Sequence, residues 1–116
     1  MKKKHLIPLI IAVILLTVDF SYIRAHSFTV HKWSSYPENR TKIIADFLND
    51  YELVGMSKKE VIELLGKSDN GAGYFNLENR LVYYLGPERG LISIDSEWLV
   101  IDFRDGLVSE YFLTTD

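Results

Sequence analysis

The sequence contains 116 residues with a formal net charge of −3, which is enough chain for one small domain. It contains no cysteine, so a disulfide framework, a thiolate nucleophile and a lipidated cysteine are excluded. Outside the first 25 positions it carries 9 basic and 15 acidic residues, a net charge of −6. This acidic balance argues against nucleic-acid binding, which usually needs a basic surface.

The first 25 residues have the pattern of an export signal. Three lysines precede an aliphatic run that extends from Leu6 to Val18 and ends at Asp19. A basic start followed by such a run is typical of a secretory signal, and the run is shorter than the about 20 residues that span a bilayer. Extending it to Ile23 makes it long enough to span but places Asp19 inside. Residues 1–25 are therefore predicted to be a cleaved signal peptide or a retained membrane anchor.

A retained anchor is slightly favoured over a cleaved signal peptide, because Ile23 is larger than the small residue preferred two positions before a cleavage after Ala25. In either case the three lysines hold the N-terminus in the cytoplasm and place the domain outside it, either membrane-anchored or periplasmic. Residues 26–35 mix serine and threonine with isolated aromatic residues and are predicted to be a linker. The domain itself is predicted to occupy residues 36–116.

Two short amphipathic helices are predicted at the start of the domain. The first begins at Ser35, which stands three residues before Glu38 as in a capping box. Its apolar face is formed, at helical spacing, by Ile43, Ile44, Phe47, Leu48 and Tyr51. The second begins with the capping box of Ser57 and Glu60 and ends at Gly66. Helices this short are marginal alone in water, so the pair is predicted to form a hairpin that docks on a sheet.

The period of the apolar residues changes after Arg80 and predicts an antiparallel sheet. The predicted strands are Leu81–Leu85, Glu97–Phe103 and Leu107–Thr114, with a short edge piece at Ile92 and Ile94. Asp105-Gly106 has the composition of a two-residue type I′ hairpin turn. Before the sheet, the turn-rich loop from Lys67 to Gly73 contains two glycines at a spacing seen in phosphate loops. No strand precedes it and no Lys-Ser/Thr pair follows, so it is interpreted as an ordinary loop.

The two-residue turn predicts a register for the hairpin and assigns its side chains to two faces. The expected pairs are Arg104 with Leu107, Phe103 with Val108, Ile101 with Glu110, and Leu99 with Phe112. We expect the helices to cover the face that carries Leu99, Ile101, Phe103, Val108 and Phe112. The opposite face is also apolar, although a solvated sheet face is normally polar. Its proposed partner-binding residues are Trp98, Val100, Tyr111 and Leu113.

The predicted fold class is α+β: a two-helix hairpin packed on one face of a three- to four-stranded antiparallel sheet, preceded by an N-terminal hydrophobic segment. Three motifs follow one another in the domain: Gly55-Met56-Ser57-x-x-Glu60-Val61-x-x-Leu64-Leu65-Gly66, then Tyr83-Tyr84-Leu85-Gly86, then Trp98-Leu99-Val100-Ile101-x-Phe103-x-x-Gly106-x-Val108. Their order, from Pro37 to the C-terminus, resembles the SmpA/OmlA domain family, also called BamE-like. The resemblance implies an extracytoplasmic scaffold that binds proteins or lipid headgroups and has no catalytic activity. BamE-type lipoproteins carry an acylated cysteine, which is absent here.

No residue constellation in the sequence supplies a nucleophile, a base and an orienting group together, so no enzymatic activity is predicted. The three histidines, His5, His26 and His31, all precede the domain. His26 and His31 lack a third ligand at a fitting spacing, so no metal and no cofactor is predicted. The acidic residues nearest to a carboxylate pair are Asp95, Glu97 and Asp102. Asp95 and Glu97 are interpreted as solvating an edge, and Asp102 as lying on the outer sheet face near Arg104.

The leading functional hypothesis is a protein-binding scaffold module of the cell envelope, similar to an outer-membrane assembly factor. It contacts the membrane through its N-terminal segment and binds a protein partner through the outer sheet face, where exposed apolar patches often mark interaction sites. Two alternatives stay open at this point: a structural or lipid-contacting envelope protein, and an inhibitor of a secreted enzyme. The oligomeric state also stays open.

Overall fold

The computed structural model describes residues 6–69 and 77–116 and confirms the predicted α+β class. The elements in chain order are α1 (Leu6–His26), α2 (Val30–Ser35), a 3-10 helix (Pro37–Lys42), α3 (Ile44–Asp50), α4 (Lys58–Leu65), β1 (Arg80–Pro87), β2 (Ser96–Arg104) and β3 (Leu107–Thr115). The strands form one antiparallel sheet in the order β1-β2-β3. The Gly71-x-Gly73 part of the predicted loop lies outside the described residues.

Helix α1 is long and apolar enough to cross a membrane. It has 21 residues and none of its side chains is buried in the protein. At 1.5 Å per residue it is about 31 Å long, which matches the roughly 30 Å hydrocarbon thickness of a bilayer. The helix continues past Asp19 to His26, so the acidic residue lies within it rather than at its end. Its length and composition are compatible with a signal or an anchor.

The segment predicted to be a linker, residues 26–35, is part of the folded domain. Thr29 caps helix α2 by accepting a hydrogen bond from the Lys32 N–H. Trp33 is only 1% exposed, and its indole Nε1–H donates to the carbonyl oxygen of Leu65 at 2.8 Å. The linker interpretation was wrong because isolated aromatic residues among serines and threonines give no periodic signal, whereas the burial of Trp33 depends on distant parts of the chain.

Arg40 continues the network that begins at Trp33. Its Nε–H donates to the carbonyl oxygen of Trp33 at 2.8 Å, and its Nη1 donates to that of Tyr84 on β1 at 2.9 Å. The guanidinium carbon lies 4.3 Å from the centroid of the Trp33 ring, a cation–π contact. Burial lowers the pKa of Arg40, while Asp69, 3.9 Å away, opposes this by favouring the charged form. The residue therefore joins α2, the 3-10 helix and β1.

The first predicted helix is divided into two shorter pieces. The predicted capping box of Ser35 and Glu38 does not form, because Ser35 is the last residue of α2 and its hydroxyl lies 3.4 Å from His31 Nδ1. Tyr36, the residue before proline, is outside the helical region, with φ −131° and ψ 67°. The chain then follows a 3-10 helix to Lys42 before α3 begins. The residues predicted to form one helix therefore form a 3-10 helix and a short α-helix that meet at Ile43.

Helix α4 has the predicted beginning and end. The Ser57 hydroxyl accepts the Glu60 N–H at 3.2 Å while the Glu60 carboxylate accepts the Ser57 N–H, so the capping box is confirmed. Gly66 follows with φ +76° and ψ −165°, a positive φ as expected but an extended ψ rather than the left-handed helical one. The carbonyl groups at this end are satisfied from the core: Trp33 donates to Leu65, and the Tyr83 hydroxyl donates to Gly66 at 2.8 Å.

The core lies between the helices and one face of the sheet. Its buried residues on the helical side are Trp33, Ile43, Ile44, Phe47, Leu53, Val61 and Leu65. On the sheet they are Leu81, Tyr83, Leu85, Leu99, Ile101 and Val108. Phe103 packs against this core and is partly buried. The prediction that the helices cover the Leu99 and Ile101 side of the hairpin is therefore confirmed.

One extra residue in β3 changes the predicted register. The turn itself is as predicted, with positive φ at Asp105 (53°) and Gly106 (82°) and the first two pairs, Arg104–Leu107 and Phe103–Val108, in place. A bulge at Ser109 follows. Beyond it the observed pairs are Asp102–Glu110, Ile101–Tyr111, Val100–Phe112 and Leu99–Leu113, so the predicted pairs Ile101–Glu110 and Leu99–Phe112 are wrong.

The central position of Trp33 gives a first testable prediction. Trp33→Ala removes a fully buried aromatic ring and its Nε1–H hydrogen bond to the Leu65 carbonyl, and we expect it to lower the free energy of unfolding by about 3–5 kcal/mol. The matched control is Val30→Ala on the same helix, where the side chain is 51% exposed. Chemical denaturation of the full chain in detergent measures both. Equal stability of the two variants would contradict the assignment of residues 26–35 to the domain.

Candidate protein-interaction surface

The four residues of the predicted partner-binding face do not lie on one face. Trp98 and Val100 lie on the outer face of β2, as expected. Tyr111 pairs with Ile101 and packs against the core, and Leu113 pairs with Leu99, so both lie on the helix-covered side. Phe112, which was expected beneath the helices, instead pairs with Val100 on the outer face. The bulge at Ser109 causes all of these exchanges, since a shift of one residue moves each side chain to the other face.

The outer face is more closed than the sequence indicated. Val82 and Val100, which pair with each other at its centre, are 3% and 0% exposed. Arg80 spans one end through two hydrogen bonds to the Asp102 carboxylate, at 2.6 and 3.0 Å, and these raise its pKa. At the other end the rings of Tyr84 and Trp98 meet edge to face, with centroids 5.5 Å apart. This face is therefore not an open apolar platform for a partner.

The outer edge of β3 is the more accessible surface. At its start, the turn that contains Gly55 and Met56 bonds to it: the Gly55 N–H donates to the Val108 carbonyl and the Val108 N–H donates to the Met56 carbonyl, at 2.9 and 2.8 Å. This pairing stops at Val108. From Ser109 to Thr115, no backbone group of the described residues bonds to the outer edge. An edge of this kind presents a row of N–H and C=O groups that another chain can pair with.

The orientation of the edge groups follows from the end of the strand. The Asp116 N–H points towards β2, where it donates to Ser96. Because the hydrogen-bonding direction alternates along an antiparallel strand, the N–H groups of Thr115, Leu113 and Tyr111 point away from β2. Phe112 and Leu113 are each 39% exposed and project from opposite faces of the strand. Extended peptides that add to such an edge gain backbone hydrogen bonds and side-chain contacts together.

The loop between β1 and β2 carries a second exposed apolar feature. Leu91, Ile92 and Ile94 are 105%, 69% and 82% exposed, and the predicted edge piece at Ile92 and Ile94 is wrong because neither belongs to a strand. The alternation of these isoleucines resembles a strand in sequence, but the loop is closed by polar contacts at its base. The Arg89 N–H and guanidinium both donate to the buried Glu97 carboxylate, at 2.7 to 3.1 Å.

The acidic residues weighed as a carboxylate pair are kept apart. Glu97 and Asp102 lie on opposite faces of β2, and each binds its own arginine, Arg89 and Arg80. His26 stacks on Tyr22 near the end of α1, with centroids 4.0 Å apart, whereas His31 lies on α2. Across residues 6–69 and 77–116, no group of three or more histidine, aspartate or glutamate side chains is close enough to hold a metal ion.

A scan against models of protein families finds no model that matches this chain, and a search of the curated proteins finds no match. The resemblance to the SmpA/OmlA family therefore stays a prediction from motif order. Functional inference depends on the geometry of the described residues, above all on the edge of β3 and on the loop held by Arg89 and Glu97.

The ion pair at the base of the loop gives a prediction about pH. The hydrogen bond from Arg89 holds the pKa of Glu97 below its ordinary value of 4.5. A carboxyl group with a depressed pKa stabilises the folded state above its unfolded pKa, and this contribution is lost as the pH falls through the folded pKa. We expect Glu97→Gln to lower the free energy of unfolding at neutral pH by about 1 kcal/mol, because the exposed Arg89 side is screened by water.

Denaturation of the full chain in detergent from neutral pH to below the ordinary pKa of glutamate measures this effect. The difference between the native chain and Glu97→Gln should shrink as the pH falls. Glu63→Gln on the exposed side of α4 is the control, and it should leave stability close to that of the native chain at every pH. A Glu97→Gln difference that does not change with pH would contradict the pKa argument.

Proposed function

We propose that this chain is a non-catalytic, membrane-anchored protein-binding module of the cell envelope, and that its partner adds an extended segment to the outer edge of β3. The observation that carries this proposal is the open backbone from Ser109 to Thr115, flanked by the exposed Phe112 and Leu113. The resemblance to the SmpA/OmlA family, which implies an extracytoplasmic scaffold, supports the same class of function.

The edge is favoured over the sheet faces as the binding site. One face is covered by the helices, and the centre of the other is buried at Val82 and Val100. The hydrogen bonds of Val108 with Gly55 and Met56 support strand addition, because the outward backbone groups at the start of this edge already bond to main-chain partners. A partner strand would continue from where those bonds stop. Main-chain pairing of this kind supplies affinity, and the neighbouring side chains supply specificity.

Retention of α1 as an anchor is supported by its contacts with the domain. The Lys32 ammonium donates to the carbonyl group of Arg24 in the last turn of α1 and to that of Ser27 just after it. Removal of the segment up to Ala25 would take away one of these acceptors. The end of α1 thus takes part in the folded structure, whereas a cleavage site is normally an exposed, extended segment.

The strand-addition proposal predicts the effect of proline at one edge position. Leu113→Pro removes an N–H that points away from β2, so it should leave the sheet intact but prevent pairing with a partner strand. Leu113→Ala is the matched control, because it shortens the same side chain and keeps the N–H.

A photoreactive residue at position 115 of the full chain, in cells that produce it, should form an adduct with another envelope protein.

We expect this adduct to disappear in Leu113→Pro and to persist, at reduced yield, in Leu113→Ala. Circular dichroism and thermal unfolding of the two variants check that the sheet is preserved. Equal adduct yields from both variants would contradict strand addition. If the only adduct has twice the mass of the chain, the edge pairs with a second copy of the same protein. This outcome would contradict the proposal of a different envelope protein as the partner.

The anchor proposal predicts the mass of the protein isolated from cells. The membrane fraction should contain the chain with α1 retained, and mass spectrometry of the intact protein measures this directly. Ile23→Ala provides the comparison, since it places small residues at both positions that a signal peptidase reads. A native chain that begins at His26 and is recovered in soluble form would contradict the anchor.

A further inference from the structure

The loop that joins β1 to β2 has an exposed aliphatic tip, formed by Leu91, Ile92 and Ile94. Single exposed aliphatic residues are common on protein surfaces, but several at the tip of one loop mark a contact site. Neither the core nor the β3 edge uses these side chains. We therefore expect these side chains to contact a surface that can accommodate apolar groups.

The tip is held in place by the polar contacts beneath it. The Glu88 N–H donates to the Asp95 carbonyl at 2.8 Å and closes the loop, and the Ser93 hydroxyl donates to the Glu88 carbonyl at 2.6 Å. Arg89 is fixed by Glu97, as described above. The aliphatic side chains are therefore presented by a closed loop with a defined base.

The loop lies at the same end of the domain as the membrane helix. The end of β1 packs closely on the 3-10 helix, since a Cβ at Gly86 would lie 2.5 Å from the Glu38 carbonyl oxygen. The C-terminal end of α1 borders the same 3-10 helix, where Ala25, Asn39 and Lys42 line a cleft of about 250 Å³. The turn at Asp105-Gly106 lies at the other end of the sheet. The end of the sheet that carries the loop is therefore also the end that adjoins α1 through the 3-10 helix.

We infer that Leu91, Ile92 and Ile94 insert into the interfacial region of the bilayer that α1 spans, as a second membrane contact. This inference rests on the proposed anchoring by α1. Only residues 27–29 separate α1 from α2, a span of at most about 10 Å, so the domain is held against the membrane surface. Insertion of aliphatic side chains needs no lipid charge, and the nearest cation, Arg89, is already paired with Glu97. Neutral lipids are therefore sufficient.

The absence of cysteine from the sequence allows a direct test with single labelled sites. Ile92→Cys places a fluorophore at the tip, and Asp105→Cys places the same fluorophore in the hairpin turn at the opposite end. Both full-length variants are reconstituted into neutral phosphatidylcholine vesicles with and without nitroxide-labelled lipids. We expect a blue-shifted emission and nitroxide quenching at position 92, at a depth of about 5–10 Å, and neither effect at position 105.

Each other outcome overturns the inference and identifies the reason. If the chain stays with the vesicles but position 92 emits as in water, the loop does not insert, and the anchor is unaffected. If the chain does not stay with the vesicles, the anchor and the inference fail together. Quenching at both positions would show that the domain lies flat on the surface. A signal that requires anionic lipids and disappears in high salt would show headgroup binding instead of insertion.

Discussion

Trp33 is the residue on which the helical layer depends. Its Nε1–H satisfies the end of α4, its carbonyl group accepts a hydrogen bond from Arg40, and its ring packs against Phe47, Tyr83 and the Arg40 guanidinium. Arg40 in turn reaches the main chain of β1. None of the helices of the domain exceeds eight residues, so each owes its stability to such tertiary contacts more than to intrinsic propensity.

The sequence correctly predicted those parts of the fold that are determined by interactions between residues close together in the chain. The capping box at Ser57, the type I′ turn at Asp105-Gly106 and the three strands all follow from side chains within a few residues of one another. The role of Trp33 was missed because its partners are far away in sequence, Leu65 being 32 residues on. The bulge at Ser109 was missed because a serine in a strand carries no signal for an extra residue.

That single bulge also determines how the candidate site differs from the predicted one. Without it, Tyr111 and Leu113 would lie beside Trp98 and Val100 and would form an apolar outer face. With it, Tyr111 and Leu113 lie on the helix-covered face and Phe112 lies on the outer face. Apolar side chains therefore project from both sides of β3. The prediction of apolar contact through β3 was therefore reasonable in composition but wrong in geometry, because side-chain direction depends on register.

The pairing of Gly55 and Met56 with Val108 has a consequence for self-assembly. The opposite edge of the sheet is also engaged, since the Asp69 N–H donates to Val82 and the Asp69 carboxylate accepts the Tyr84 N–H. Within the described residues, each molecule thus offers a single stretch of free strand edge. Two copies that joined through it would close as a symmetric pair with no further edge to extend, so growth into fibrils ends at two molecules.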